Sequence, residues 1–597
     1  MSEPELRKLI AAVKAGRISR RAFVRKMVGF GLTAPFAARL LAHAGVAQTR
    51  IQSDYKPRNA GGGGALKLLF WQGASLLNPH FTVGAKDSEG CRIFYEPLAA
   101  WDPDGNLVPV LAAEIPSLED GGVAADGMSV TWKLKKGVQW HDGRPLTADD
   151  VVFNWEYAAD PATAAVSISR YQELKVEKID PFTVRIRFDK PTPFWADVFV
   201  GTGMIIPKHL FEPYKGANSR EAPTSFKPVG TGPYRFVDFV PGELIKGERN
   251  PAYHEADRPF FDTIEVKGGG DAVSAARAVI QTGEYDYAWN MQVEDEILLR
   301  LESSSNAKGR VASVPSNNIE HIQLNFSDPW TEVDGERSSA KTEHPVLSDQ
   351  AVREALSLLV DRAGVQAHIY GRGGIATANF VNAPERFASK HTRWEFNIDK
   401  ANRLLDQAGW QRGPDGLRRK DGKQLKFVFQ TSINAPRQKT QAVVKQACQK
   451  AGIDLELKSV TPSVFFSSDV ANPDTTSKFY SDLQMYAVLL RQPDPGAFMR
   501  QFASWEIASK ANKWQGRNVA RWRNEEYDGV YRAAEGELDP VKRAALIIKM
   551  NDLVVEDRVV IPVVNRRWVA VMSHKLRATL SGWDNDFWNL KDWYREA

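Results

Sequence analysis

The sequence predicts an α/β protein with more than one lobe, on three observations. Its 597 residues are several times what one hydrophobic core supports, so two or three domains are expected. Short β-branched and aromatic runs alternate with segments of helical periodicity, the order that builds sheets covered by helices. The composition, 43% hydrophobic and 25% charged, is that of a globular chain. No internal repeat is evident.

The basic character is concentrated at the start. Residues 1–47 carry nine Lys/Arg against Glu3 and Glu5, a net of +7, which leaves the remainder near −2 of the +5 total. That distribution excludes the cationic folded surface on which nucleic-acid binding depends. Ser19-Arg20-Arg21-Ala22-Phe23-Val24-Arg25 resembles the twin-arginine export consensus. The weakly apolar run that follows is broken by Pro35 and Arg39 and is no stable membrane span. Ala42-His43-Ala44 and Gly45-Val46-Ala47 both place small residues where a signal peptidase cuts. A signal peptide over 1–47, cleaved after Ala44 or Ala47, and a periplasmic location are therefore expected; an uncleaved amphipathic helix is the other reading. Cys91 and Cys448 are too few for a disulfide framework or a cysteine zinc site.

Residues 48–64, ending in Gly61 to Gly64, read as a flexible tether. ALKLLFWQ (65–72) is the first buried strand. At 129–135, Val130, Trp132 and Leu134 alternate with polar residues, a half-buried strand. WHDGRPLTADDV (140–151) offers a histidine and three aspartates, a candidate catalytic cluster. Each polar residue also has a structural use: Asp142-Gly143 favours a tight turn with positive φ at both central residues. Thr147 and Asp150 form a capping box for the helix that follows. As a catalytic base His141 needs a nucleophile or an acid partner, and nothing nearby qualifies, so the structural reading is adopted.

PVGTGPYRFVDF (228–239) lacks the Lys-Ser/Thr ending of a phosphate loop, and Pro233 blocks the helix such a loop needs. Residues 262–289 read strand, helix, strand, with Gly283 ending the helix. HIQLNF (321–326) is a short strand and the expected crossing into a second lobe. Amphipathic helices follow at 347–362, capped by Ser348 or Asp349, at 397–410, ending at Gly409, and around 539–557, then the strand VVIPVV (559–564).

These segments together resemble the family 5 extracytoplasmic solute-binding proteins of ATP-binding-cassette (ABC) transporters, which include dipeptide- and oligopeptide-binding proteins. The landmarks are YEPLAAWDPDGNLVPVLAAE, GVQWHDGRPLTADDVVF, MIIPKHLF (204–211), PVGTGPYRF, QTGEYD, AVREALSLLVDR, KANRLLDQAGW and VVEDRVVIPVV. The resemblance implies a two-lobed periplasmic binding protein fold of type II with an extra subdomain on the first lobe. It places lobe I at 65–95, 228–320 and 565–597, the extra subdomain at 96–227 and lobe II at 321–564. It also implies binding without catalysis or cofactor: a monomer closes on a small, peptide-like solute and docks on membrane permease subunits.

Peptide-binding members carry Asp-x-x-Asp-Pro, whose first Asp holds the peptide ammonium. Here the loop reads VLLRQPDPGAF (488–498): Asp494-Pro495 matches, and Arg491 replaces the expected carboxylate. A guanidinium repels an ammonium and suits an anion. Arg491 therefore either binds a ligand anion or pairs with Asp494 while the ligand is held elsewhere. Aromatic candidates for the cleft wall are Trp71 and Trp289 with Asn290, at strand C-terminal ends, and Trp505 and Trp514, downstream of the Asp-Pro loop. Alternatives to a peptide are an oligosaccharide or an anionic opine-like amino-acid conjugate, and a sensory role is an alternative to transport. No zinc-protease helix, nucleophile elbow or Cys–His pair supports an enzyme.

Overall fold

The computed structural model describes residues 55–596 together with Lys8, Leu9, Ala12, Val13, Phe23, Lys26 and Met27. The Arg20-Arg21 pair, both expected cleavage sites and tether residues 48–54 lie outside the described residues. The chain divides into two units, residues 1–56 with 117–122, and residues 57–116 with 123–597. In the first unit the described residues between 8 and 27 are helical, and Val13, Phe23 and Met27 are buried. Everything that follows lies in the second.

The strands used below are β1 (Ala65–Phe70), β2 (Ser129–Lys133), β3 (Leu174–Asp180), β4 (Thr183–Phe188), β5 (Tyr234–Val240), β6 (Leu244–Arg249), β7 (Thr263–Gly268), β8 (Tyr287–Ala288), β9 (Gly309–Leu324), β10 (Lys426–Ser432), β11 (Asp454–Val460), β12 (Leu483–Leu490) and β13 (Val560–Ser573). Among the described residues, eleven strands form one mixed sheet, ordered β11-β10-β12-β9-β13-β8-β1-β7-β6-β5, with Gly374–Ala376 added to β13. β1 is parallel to β7 and β8, and β10 is parallel to β11 and β12, so the sheet has two parallel-cored halves. Each half carries its own helices and constitutes one lobe.

The halves share β9 and β13, 16 and 14 residues long and paired antiparallel almost throughout. Their register breaks at Pro315-Ser316-Asn317, which stand opposite Arg567 alone. Pro315 has no N–H to give the ladder, and the pair bulges there. The expected crossing strand at 321–326 is the far end of β9, and VVIPVV is the near end of β13. Sequence shows only the apolar end of each, because the rest mixes polar residues into both faces.

The helices used below are α1 (Ala85–Arg92), α2 (Ala148–Ala159), α3 (Ala272–Ile280), α4 (Asp295–Glu302), α5 (Gln350–Leu358), α6 (Ile398–Gln407), α7 (Ala435–Lys450), α8 (Glu525–Gly536) and α9 (Pro540–Glu556). Asp271, Asp349, Asn397, Asn434, Asn524 and Asp539 cap α3 and α5 to α9 through side-chain oxygens on free backbone N–H groups, worth about 1 kcal/mol each. Asp349, not Ser348, caps α5. That helix stops at Leu358 rather than near 362, because Asp361 starts a separate short helix.

β2, β3 and β4 form a small sheet of their own against α2, with Val130, Trp132 and Ile186 fully buried. Here the stretch at 140–151 is architectural. Asp150 Oδ2 accepts the Thr147 N–H at 2.9 Å in a capping box. Only Gly143 has positive φ (+87°), so the turn is a three-residue loop closed by a left-handed glycine, not the tighter form expected. His141 Nδ1 accepts from Gly230 N at 3.1 Å, and Nε2 lies 3.0 Å from the Gly232 carbonyl. Burial pulls the His141 imidazole down to about 4, so it is neutral and clamps the PVGTG loop. Glycine is required at 230: a Cβ there would stand 1.8 Å from the Phe94 carbonyl oxygen.

Gly61 to Gly64 correct the tether reading. Gly62 and Gly64 donate to the two oxygens of Asp262 at 2.9 Å each, and Gly61 N donates to Pro259 O at 2.9 Å. With positive φ at Gly61, Gly62 and Gly64, the Gly62 and Gly64 N–H groups meet one carboxylate, so the glycines shape a docked turn.

Candidate functional site

A cavity of about 420 Å³ lies where the lobes face each other, walled by the loop before α1, residues after β8, the bulged centre of β9 and β13, the end of β12 and the loop at 514–519. Of the seven residues expected from sequence, Arg491, Trp289, Asn290 and Trp514 line it; Trp71, Asp494 and Trp505 do not.

Trp289 follows β8 and is 1% exposed, stacked on Phe70 at 5.0 Å and edge-on to Trp568 at 5.9 Å. Asn290 adopts φ +52°, and its carbonyl accepts the Trp71 indole N–H at 2.8 Å. Trp71 therefore packs in an apolar cluster with α3 and β13 and holds Asn290 in place from behind. Trp505 is 39% exposed, covered by Arg532 and Tyr531 on the outer surface. Trp514 faces the cavity with Lys478 over its ring at 4.4 Å.

Asp494 pairs with Arg543 of α9 and accepts the Gly496 N–H at 2.8 Å. The alternative in which Arg491 pairs with Asp494 is thereby overturned. Arg491 instead reaches across to the other lobe, where its Nη1 meets Glu89 Oε1 of α1 at 3.2 Å and bonds Asn585. Glu89 is fully buried and also accepts the Asp586 N–H at 3.1 Å. Burial pushes its carboxyl up despite the Arg491 charge, and burial with the Glu89 charge pushes Asp586 up still more.

Sequence reasoning missed most of the wall's charge. Lys86, Arg170, Arg437, Arg491, Arg517 and Arg566 all line the cavity, and no Asp or Glu does among the described residues. Four of the six have acid partners behind them, Arg491 with Glu89 among these. Glu320 on β9 holds Arg437 of α7 at 3.0 Å and Arg566 of β13 at 2.9 Å, while Asp87 holds Lys86 at 2.7 Å. Burial works to raise Glu320, and the two guanidiniums outweigh it and hold its carboxyl below the ordinary value. Gln72 Nε2, Trp289 Nε1, Arg491 Nη2 and Trp514 Nε1 are buried without a partner in the protein, and all four are donors. The wall thus offers positive charge and N–H groups, which suits an acceptor-rich anion.

The profile described as "Bacterial extracellular solute-binding proteins, family 5 Middle" matches residues 106–510. The oligopeptide-binding protein AppA of Bacillus subtilis is 30% identical over 396 residues, 65% of this chain and 67% of that one. The glutathione-binding protein GsiB of Shigella boydii is 28% identical over 342 residues, 57% of this chain, and the match spans only 60% of its length. Among solved structures, AppA of Bacillus subtilis with a nonapeptide superposes with a TM-score of 0.77 at 22% identity, covering 91% of this chain and 100% of that one. AgaA of A. tumefacien R10 with agropinic acid gives 0.73 at 16% identity, covering 89% and 99%. At such identities these structures establish the fold: two-lobed, type II, with an extra subdomain on the first lobe.

Proposed function

The chain belongs to the bacterial extracellular solute-binding proteins of family 5, and from that premise we propose that it captures an anionic, peptide-like solute for an ABC importer. The observation that carries the reading is the cavity wall: six cationic side chains and, among the described residues, no carboxylate. A zwitterionic peptide brings an ammonium into such a cleft uncompensated, whereas a solute whose negative charge predominates matches it. An opine-like conjugate meets the same criterion, since its amino group is not a free terminus and its carboxylates are. Arg491 is then the ligand-facing cation of the loop and Trp289, Asn290 and Trp514 line its floor. The solute enters between lobes I (65–95, 228–320, 565–597) and II (321–564), which swing on the bulged β9–β13 pair. The loaded, monomeric protein meets permease subunits in the inner membrane. Export of the folded chain by the twin-arginine route to the periplasm fits residues 19–25, and among the described residues no helix is long and apolar enough to cross a membrane.

The test is thermal-shift titration with matched ligands: free peptides, N-acetylated peptides, C-amidated peptides and neutral oligosaccharides. A ligand at 100 times its Kd stabilises by about 2.7 kcal/mol, a rise of roughly 2 °C for a chain of this size. N-acetylated peptides are expected to stabilise at least as well as free ones, and amidated peptides to fail. Stabilisation by free peptides that N-acetylation abolishes refutes the reading.

A further inference from the structure

Beside the short helix Gly496–Met499 a second cavity of about 120 Å³ forms an annex to the first, and Arg170, Ala497 and Arg517 line both. The other cations of the annex are matched. Lys190 pairs with Glu173 at 3.0 Å and Glu535 at 2.5 Å, Arg500 with Glu506 at 2.6 Å, and Arg543 with Asp494. Arg170 and Arg517 are different: among the described residues neither forms an ion pair. Arg170 donates to the Thr202 hydroxyl at 2.9 Å and Arg517 to the Ala497 carbonyl at 2.8 Å, both neutral acceptors. Asp197 lines the annex too, yet its Oδ1 has no partner and it bonds neither arginine. Burial lowers Arg517 and the Arg170 charge adds to that, while the Glu506 and Asp197 charges work the other way without hydrogen-bonding either guanidinium. Both arginines line the cavity and the annex and keep N–H groups that no carboxylate takes, so an oxyanion at the junction gains two charge-assisted contacts.

We propose that Arg170 and Arg517 form a second anion subsite, at the junction of cleft and annex, which takes an oxyanion group of the solute distinct from the one that meets Arg491. This rests on the anionic reading of the cleft and deepens it, because the solute then carries at least two such groups, carboxylates in a peptide-like molecule. Arg170 comes from the small subdomain and Arg517 from the loop beyond the Asp-Pro turn, so the subsite is complete only with the lobes together.

The probe is sulfate, titrated against chloride at fixed ionic strength, with melting temperature as readout on the full chain. Wild type is expected to show a saturable rise. Arg170→Gln and Arg517→Gln are each expected to weaken half-saturation by about tenfold or more, the loss of a charge-assisted hydrogen bond. Arg170→Lys is expected to retain most of the response. A sulfate response absent from wild type, or unchanged in both Gln variants, overturns the subsite. If Arg491→Gln abolishes the response while both Gln variants keep it, the anionic cleft stands and the second subsite falls.

Discussion

Replacing Arg491 by Met removes the cation through which one lobe grips the other. Glu89 then loses its ion pair while remaining fully buried next to Asp586. Removing one member of a buried pair costs about 3–5 kcal/mol when the survivor stays charged. Glu89 has two reliefs: the Asp586 and Phe587 N–H groups still donate to it, and burial already raises its carboxyl, so it takes up a proton. The expected cost at pH 7 is therefore lower, about 2–3 kcal/mol. With unfolding entropy near 2.1 cal/mol/K per residue, a chain this long changes by about 1.3 kcal/mol per degree, and Tm falls by roughly 2 °C. Glu89→Gln costs less, because Arg491 borders the cavity and keeps Asn585. In the double variant the two losses overlap, and calorimetry is expected to show a coupling of at least about 1 kcal/mol. A carboxyl with a raised folded value favours the fold below its ordinary 4.5 and loses that contribution as pH rises through the raised value. The Arg491→Met deficit is therefore expected to shrink toward pH 4.5 and grow toward pH 8. Strictly additive effects, or a deficit that widens in acid, refute the latch.

Further outcomes follow from the same geometry. Asp494→Asn is expected to lower stability by about 3 kcal/mol in calorimetry through its buried pair with Arg543. Asp494 lines the annex and not the main cavity, so removing its charge and freeing Arg543 there is expected to leave anion affinity equal or tighter, never weaker. Trp514→Ala weakens solute binding and Trp505→Ala leaves it unchanged, measurable in one titration series. Gly230→Ala overpacks against Phe94 and breaks the His141 clamp, costing about 3 kcal/mol or more; an alanine variant melting within half a degree of wild type contradicts the placement. Burial works against ionised Glu96, but His254 at 2.9 Å outweighs it and holds the carboxyl down at about 2. Its roughly 3 kcal/mol of stabilisation is full above pH 4.5 and lost as pH falls toward 2. Glu96→Gln is expected to flatten the acid limb of the stability curve in that window.

What was legible in the sequence was local. Thr147 with Asp150, and Asp349, announce helices because a cap acts on N–H groups two or three residues away, and the alternation at 129–134 reports one buried face. The Arg491 substitution was legible as a change of charge. Its partner was not, since Glu89 lies 402 positions away and Asp494, three residues away and of the right sign, is taken by Arg543. The Gly61–Gly64 run failed as a tether for the same reason: composition reports what a segment permits, and Asp262 decides what it does.

The cleft's charge illustrates the limit most sharply. Lys86, Arg170, Arg437, Arg491, Arg517 and Arg566 come from six separate segments, and none stands in a basic run. Overall charge after the leader is slightly negative, so no compositional cue points to a cationic site. What creates the site is a sorting of charges by depth, with Asp87, Glu89 and Glu320 behind the wall and their partners in front. Each acid fixes a cation in place and makes it affordable to bury, yet leaves its outer N–H groups for a solute. Arg491 belongs to this scheme and not to the motif it interrupts. With its acid partner at Glu89 and not in its own loop, Arg491 presents a donor to the cavity. On the proposed anionic reading, solute affinity and the Arg491–Glu89 contact depend on the same side chain, and a variant at 491 is expected to change affinity and stability together.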